Sequence, residues 1–166
     1  DYFTLSSRKA AYRSVAPQLA GHDEYRDLLA SHLIHIKLYH WEKSLRELAA
    51  EGLALLVPRT DAAFHHMALG VLFSKCGDIA LESRHGALVG LAKILPALTR
   101  EGTLLRVEES AELASLLRAA ADPQTYRGKG GAIIAEAMCQ LICGVSLAKC
   151  QLTPDLVESV GSAVAG

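Results

Sequence analysis

The chain has 166 residues, of which 51% are apolar and 21% charged, and its formal net charge is −1. That length and balance fit one globular domain with a buried core. The near-zero charge argues against a surface built for nucleic acid or an anionic membrane. Aromatic side chains make up only 5% while Ala and Leu abound, which favours helices over strands.

In chain order, helices are predicted over residues 3–20, 25–38, 42–57, 61–76, 81–100, 109–121, 129–149 and 154–165. The second carries an apolar stripe of Tyr25, Leu28, Leu29, His32, Leu33 and Ile36. The third repeats that spacing with Leu45, Leu48, Ala49, Gly52, Leu53 and Leu56, and the fourth with Phe64, Met67, Ala68, Val71 and Leu72. The sixth shows it in Leu113, Leu116, Leu117 and Ala120. Sustained period-two alternation is missing, so no strand is predicted. Breaks fall at Gly21-His22-Asp23, Pro58-Arg59-Thr60, Cys76-Gly77-Asp78, Asp122-Pro123 and Thr153-Pro154-Asp155. Thr60 is placed to cap the helix after it, and Thr153 to cap the last one. A start at Asp1 and an end at Gly166 read as cuts, so a segment of a longer protein is expected.

The run Gly130–Ala148 is almost long enough to span a membrane. Glu136 near its middle would be costly in lipid, so a helix buried between neighbours is expected and no membrane span. Cys76, Cys139, Cys143 and Cys150 lie in apolar helical contexts and are expected as free, buried thiols in a reducing compartment.

A repeat organises these helices. Arg8, Arg46, Arg84 and Arg127 each open a similar helical stretch, at separations of 38, 38 and 43 residues. Pro58 and Pro96 each follow their arginine by twelve residues, and Pro17 follows Arg8 by nine. Glu42, Asp78 and Asp122 precede the later three arginines. A two-helix unit recurring at about 40 residues is the signature of an all-α, HEAT-type solenoid, an armadillo-like superhelix in which stacking buries what one pair cannot. The pairs are expected at 25–57, 61–100 and 109–149, within one segment flanked by a helix at each end. Likeness to such repeats implies that an acid in the turn and the arginine form a ladder along the stack, making Arg8, Arg46, Arg84 and Arg127 structural. Gly86 and Gly90, at i and i+4, are expected to let helices approach closely.

The chain also resembles a segment from the C-terminal half of the tubulin-folding cofactor D family. The resemblance is carried by His40-Trp41-Glu42 with Leu45-Arg46-Glu47-Leu48-Ala49-Ala50, and by Met67–Leu69 leading to Arg84-His85-Gly86-Ala87. Tyr126-Arg127-Gly128 with Gly130-Gly131, Cys139–Leu147, Tyr2-Phe3 and Gly21–Tyr25 extend it in order along the chain. It departs from the family pattern mainly over Thr99–Leu117. The resemblance implies a cytosolic, cytoskeleton-associated chaperone scaffold that binds β-tubulin and helps join it to, or separate it from, α-tubulin. It further implies partnership with other tubulin cofactors and an Arf-like small GTPase, and stimulation of GTP hydrolysis in a bound partner.

Arg127-Gly128-Lys129-Gly130-Gly131 lacks the spacing of a phosphate loop and follows no strand, so a close helix entry is the better account. His32, His35 and His40, or His65-His66 with Cys76, lack a complete four-ligand zinc spacing. His32 on the apolar stripe reads as a hydrogen-bonded core histidine. Glu108-Glu109 reads as a solvated helix start. No catalytic residue, metal or small-molecule cofactor is expected. Trp41, the one tryptophan, is expected to pack under the helix after it, with an exposed binding anchor as the alternative. Candidate partner contacts are His40, Trp41, His85 and Tyr126. The competing functions are a HEAT adaptor unrelated to tubulin and a metal-dependent enzyme.

Overall fold

The computed structural model describes residues 4–150 together with Gly161. Among the described residues there are eight α-helices and no strand. They are α1 (Leu5–Ala10), α2 (Ala16–Leu19), α3 (Asp23–His35), α4 (Lys43–Leu56), α5 (Ala62–Cys76), α6 (Leu81–Arg100), α7 (Val107–Ala120) and α8 (Gly131–Ala148). The helix expected over 154–165 lies outside the described residues, Gly161 apart.

The first predicted helix is broken. Between α1 and α2 the chain forms one π turn, Ala11–Val15. Pro17 in the first turn of α2 explains it, since proline has no N–H to donate and its ring crowds the carbonyl four residues back. The Thr4 hydroxyl caps α1 by accepting from the Ser7 N–H. At α5 the expected cap is displaced by one residue. Asp61, not Thr60, accepts the Phe64 N–H at 2.8 Å, and Thr60 instead donates to the Val57 carbonyl at 3.1 Å. Thr60 closes the preceding turn rather than opening the helix.

Helix α6 occupies the centre, between α4 on one side and α8 on the other, with α5 laid against it. Helices α3, α5 and α7 are neighbours in an outer row. This two-row, all-helical arrangement is consistent with a helical solenoid. Contact on several sides explains why 12 of the 20 residues of α6 are buried, more than an amphipathic stripe requires. Leu53, Leu56, Leu69, Leu72, Leu91, Ile94, Leu95 and Leu98 have no more than 1% exposure. Each such side chain contributes about 1.5–3 kcal/mol of burial energy before entropy is counted.

Close packing at α6 depends on the two glycines picked out by spacing. A Cβ on Gly86 would sit 1.6 Å from the Leu38 carbonyl oxygen, and one on Gly90 would sit 2.8 Å from Leu72 Cδ2. The 3₁₀ turn Lys37–Tyr39 therefore rests directly on the α6 backbone.

Periodicity misplaced the inner face of α3. The structure buries Ala30, Leu33 and Ile34, whereas Tyr25, Leu28, His32 and Ile36 are exposed. The expected core histidine, His32, is thus a surface residue. Helix α3 is an outer helix covered on one narrow side, and that side centres on the small Ala30.

Candidate protein-binding surface

The repeat arginines have four different fates. Arg46 is 3% exposed and holds three partners. Its Nε donates to His85 Nδ1 at 3.0 Å, and its Nη1 donates to the carbonyls of His40 and Trp41 at 2.8 and 2.9 Å. Arg8 reaches Glu42 with Nη1 3.1 Å from both carboxylate oxygens. Arg84 is half-buried with a buried Nε that has no hydrogen-bond partner among the described residues. Arg127 is exposed.

Of the expected acid–arginine ladder along the stack, one rung forms among the described residues, between Arg8 and Glu42. Asp78 pairs with Lys75, and Asp122 accepts the Gln124 N–H to cap a 3₁₀ turn. For Arg84 and Arg127 the structural-ladder assignment is corrected accordingly. Arg127 is exposed before α8 begins, and Arg84 meets no carboxylate among the described residues.

His85 is likewise corrected as a surface partner contact, because it is 0% exposed. It serves as the acceptor that ties α4 to α6. Accepting at Nδ1 places the proton of the neutral ring on Nε2, a buried atom with no protein partner among the described residues. Burial, helped by the positive charges of Arg46 and Lys43 and opposed by Glu136, pushes the imidazole down to about 4. His85 is neutral at physiological pH. Burial also pushes Arg46 down, yet a guanidinium stays charged.

A second polar link joins the outer row. His66 Nδ1 lies 2.7 Å from Glu109 Oε1, and Glu109 Oε2 accepts the Arg106 N–H at 2.7 Å. Glu109 is 8% exposed, which corrects its reading as a solvated helix start. His65 is buried as well. Its Nε2 faces the Val57 carbonyl at 3.1 Å and must donate, so Nδ1 accepts from the Thr103 hydroxyl at 2.9 Å. Neither link could be read from sequence, because the partners are 43 and 38 residues apart. Among the described residues no group of three or more His, Cys, Asp or Glu could hold a metal.

Trp41 does not pack under α4; it is 77% exposed. The reason is the turn that carries it. Arg46 captures the carbonyls of His40 and Trp41, and His40 Nδ1 accepts the Glu42 N–H at 3.1 Å. These bonds hold the backbone in place, and the indole projects outward, tilted against the His40 ring at 5.4 Å. Tyr126 is half-buried, with its hydroxyl donating to the Ala120 carbonyl at 2.8 Å.

A groove of about 930 Å³ runs across α4, α6 and α8. Its floor is made of small residues: Ala92 and Ala97 of α6 and Gly144 of α8, all buried. A Cβ on Gly144 would lie 2.3 Å from the Ala92 carbonyl oxygen. Pro96 explains the approach, since it supplies no N–H to that carbonyl and leaves it facing α8. Leu55, Pro58, Cys139, Cys143 and Leu147 form exposed apolar walls. The thiols of Cys139 and Cys143 are therefore free but not buried as expected. Helix α8 turns Ile134, Ala137, Met138, Leu141 and Val145 inward, and this leaves the 139/143 face outside.

Helix α8 is long and apolar enough to cross a membrane by length and composition. In the fold it packs on α6, and Glu136 on its outer side is paired with Lys43 at 2.6 Å. That hydrogen bond holds the Glu136 carboxyl below its usual range and raises the Lys43 ammonium.

The chain is 23% identical over 163 residues to the tubulin-specific chaperone D of Dictyostelium discoideum. The match covers 95% of this chain and 11% of that protein. The chain is similar to a segment of tubulin-specific chaperone D. It thus spans about a tenth of the length of that curated relative. No protein-family model matches the chain, and no solved structure does.

Proposed function

We infer that this chain is part of a tubulin-folding cofactor and serves as a protein-binding helical scaffold of the HEAT type. The likeness to tubulin-specific chaperone D along 95% of the chain carries this reading. The structure supports it with stacked helices, an apolar groove across three of them and a fixed, exposed tryptophan. In this reading the parent protein binds β-tubulin in the cytoplasm, in association with the cytoskeleton. It assists assembly or disassembly of the αβ heterodimer together with other cofactors and an Arf-like GTPase. Any acceleration of GTP hydrolysis acts on the nucleotide of the bound partner, and no residue of this segment is given a catalytic role.

The test is capture of purified αβ-tubulin by the full chain. Retention of tubulin in a defined ratio, with GTP hydrolysis faster in the presence of the other cofactors, is the expected result. Failure to retain tubulin at micromolar concentrations of both proteins would leave an adaptor unrelated to tubulin.

A further inference from the structure

We propose that the groove across α4, α6 and α8 docks one amphipathic helix of a protein partner, apolar on the buried face and acidic along one flank. The proposal deepens the scaffold reading by giving the partner's chemistry, and it rests on that reading.

Size argues for a helix. A helix with side chains is about 10–12 Å across and rises about 1.5 Å per residue, so about two turns fill a space of this order. Helix-in-groove recognition places an apolar stripe against such a surface. A small-molecule site would have polar groups converging from within, whereas this floor is Ala92, Ala97 and Gly144.

Charge fixes the flank. Two acids of the lining are already neutralised by protein partners: Glu51 pairs with Arg13, and Glu136 with Lys43. The cations of α6 are not. Lys93 is exposed with no ion-pair partner among the described residues. Arg100 is exposed and spends only its Nε, on the Pro96 carbonyl of its own helix at 3.2 Å. Lying seven residues apart, they share one side of α6. Of the lining carboxylates, Glu101 has no ion pair among the described residues and opposes them. The uncompensated charge is therefore positive, and complementarity asks for carboxylates on the incoming helix.

Cys139 and Cys143 provide the readout, because both are exposed on the groove wall. Cys76 and Cys150 are half-buried, and burial pushes both thiols up, Cys76 to about 12, so they react slowly.

The probes are two synthetic helical peptides with the same leucine stripe, one flanked by glutamates and the other by lysines. With the full chain, the acidic peptide should bind and slow maleimide modification of Cys139 and Cys143 about tenfold. The double variant Lys93→Glu, Arg100→Glu should weaken the acidic peptide about tenfold and admit the basic one. Leu147→Asp, at a 74% exposed position, should weaken both. Equal binding of both peptides, unprotected thiols, or an unchanged preference in the double variant would each overturn the proposal.

Tubulin separates the two readings. Peptide binding without tubulin capture removes the tubulin function and leaves the groove assignment standing. Tubulin captured equally by native chain and double variant, with Cys139 and Cys143 still reactive, removes the groove as the docking site and leaves the function.

Discussion

The Nε of Arg46 donates a 3.0 Å hydrogen bond to Nδ1 of His85, 39 residues away, inside the core between α4 and α6. The same guanidinium holds the backbone of the turn that presents Trp41. A buried charge, a neutral histidine and an exposed indole are thus one assembly.

That assembly predicts an acid sensitivity. His85 titrates at about 4 in the folded chain and near 6.5 when unfolded. Between these values the unfolded chain binds a proton that the folded chain refuses, so stability rises with pH across the window. The contribution of His85 is complete above about 6.5 and is lost as pH falls towards 4. Melting temperature against pH should fall on acidification through this range, and His85→Gln should flatten the fall. An unaltered slope in the variant would refute the assignment to His85.

Arg46→Ala should destabilise strongly, by about 3 kcal/mol or more, because it strands His85 Nδ1 and two backbone carbonyls. Arg127→Ala, at an exposed arginine, should fall within about 0.5 kcal/mol of the native chain. Denaturant titration distinguishes them, and equal losses would restore an equivalent role for the repeat arginines.

Glycine substitutions should divide by contact. Gly90→Leu should cost roughly 1–3 kcal/mol by overpacking, since even its Cβ meets Leu72 at 2.8 Å. Gly86→Ala should cost more, because the obstacle is the Leu38 carbonyl of the backbone. Gly70→Ala, with nothing within 4 Å in the middle of α5, should stabilise by up to about 1 kcal/mol through helix propensity. A destabilising Gly70→Ala would contradict the open surface at that position.

Trp41 should emit as a solvent-exposed indole and be readily quenched by acrylamide. Trp41→Ala should leave the melting temperature unchanged, since the side chain is 77% exposed. Emission typical of a buried indole would place Trp41 back under α4.

Most of the helices were legible in the sequence, because 3.6-residue periodicity and glycine or proline breaks are local signals. The inner face of α4 was legible too, since Leu45, Leu48, Ala49, Gly52, Leu53 and Leu56 are all buried. The inner face of α3 was not. Tyr25, Leu28 and Ile36 of its expected stripe are exposed, and only the neighbouring helices determine that Ala30, Leu33 and Ile34 are covered. His85 shows the same limit. As a polar residue beside a repeat arginine it suggested a surface contact, and its burial depends on a guanidinium from the previous unit.

The sequence by itself determined the helices, the four recurrent arginines and the glycines Gly86 and Gly90 of close approach, because each is a matter of spacing along the chain. The tertiary structure decided the partners of those arginines, the exposure of Trp41 and the groove across α4, α6 and α8. The physical reason is distance along the chain. Arg8–Glu42, Arg46–His85 and His66–Glu109 join residues 34, 39 and 43 apart. Such pairs exist only once stacking has set which faces of the helices meet.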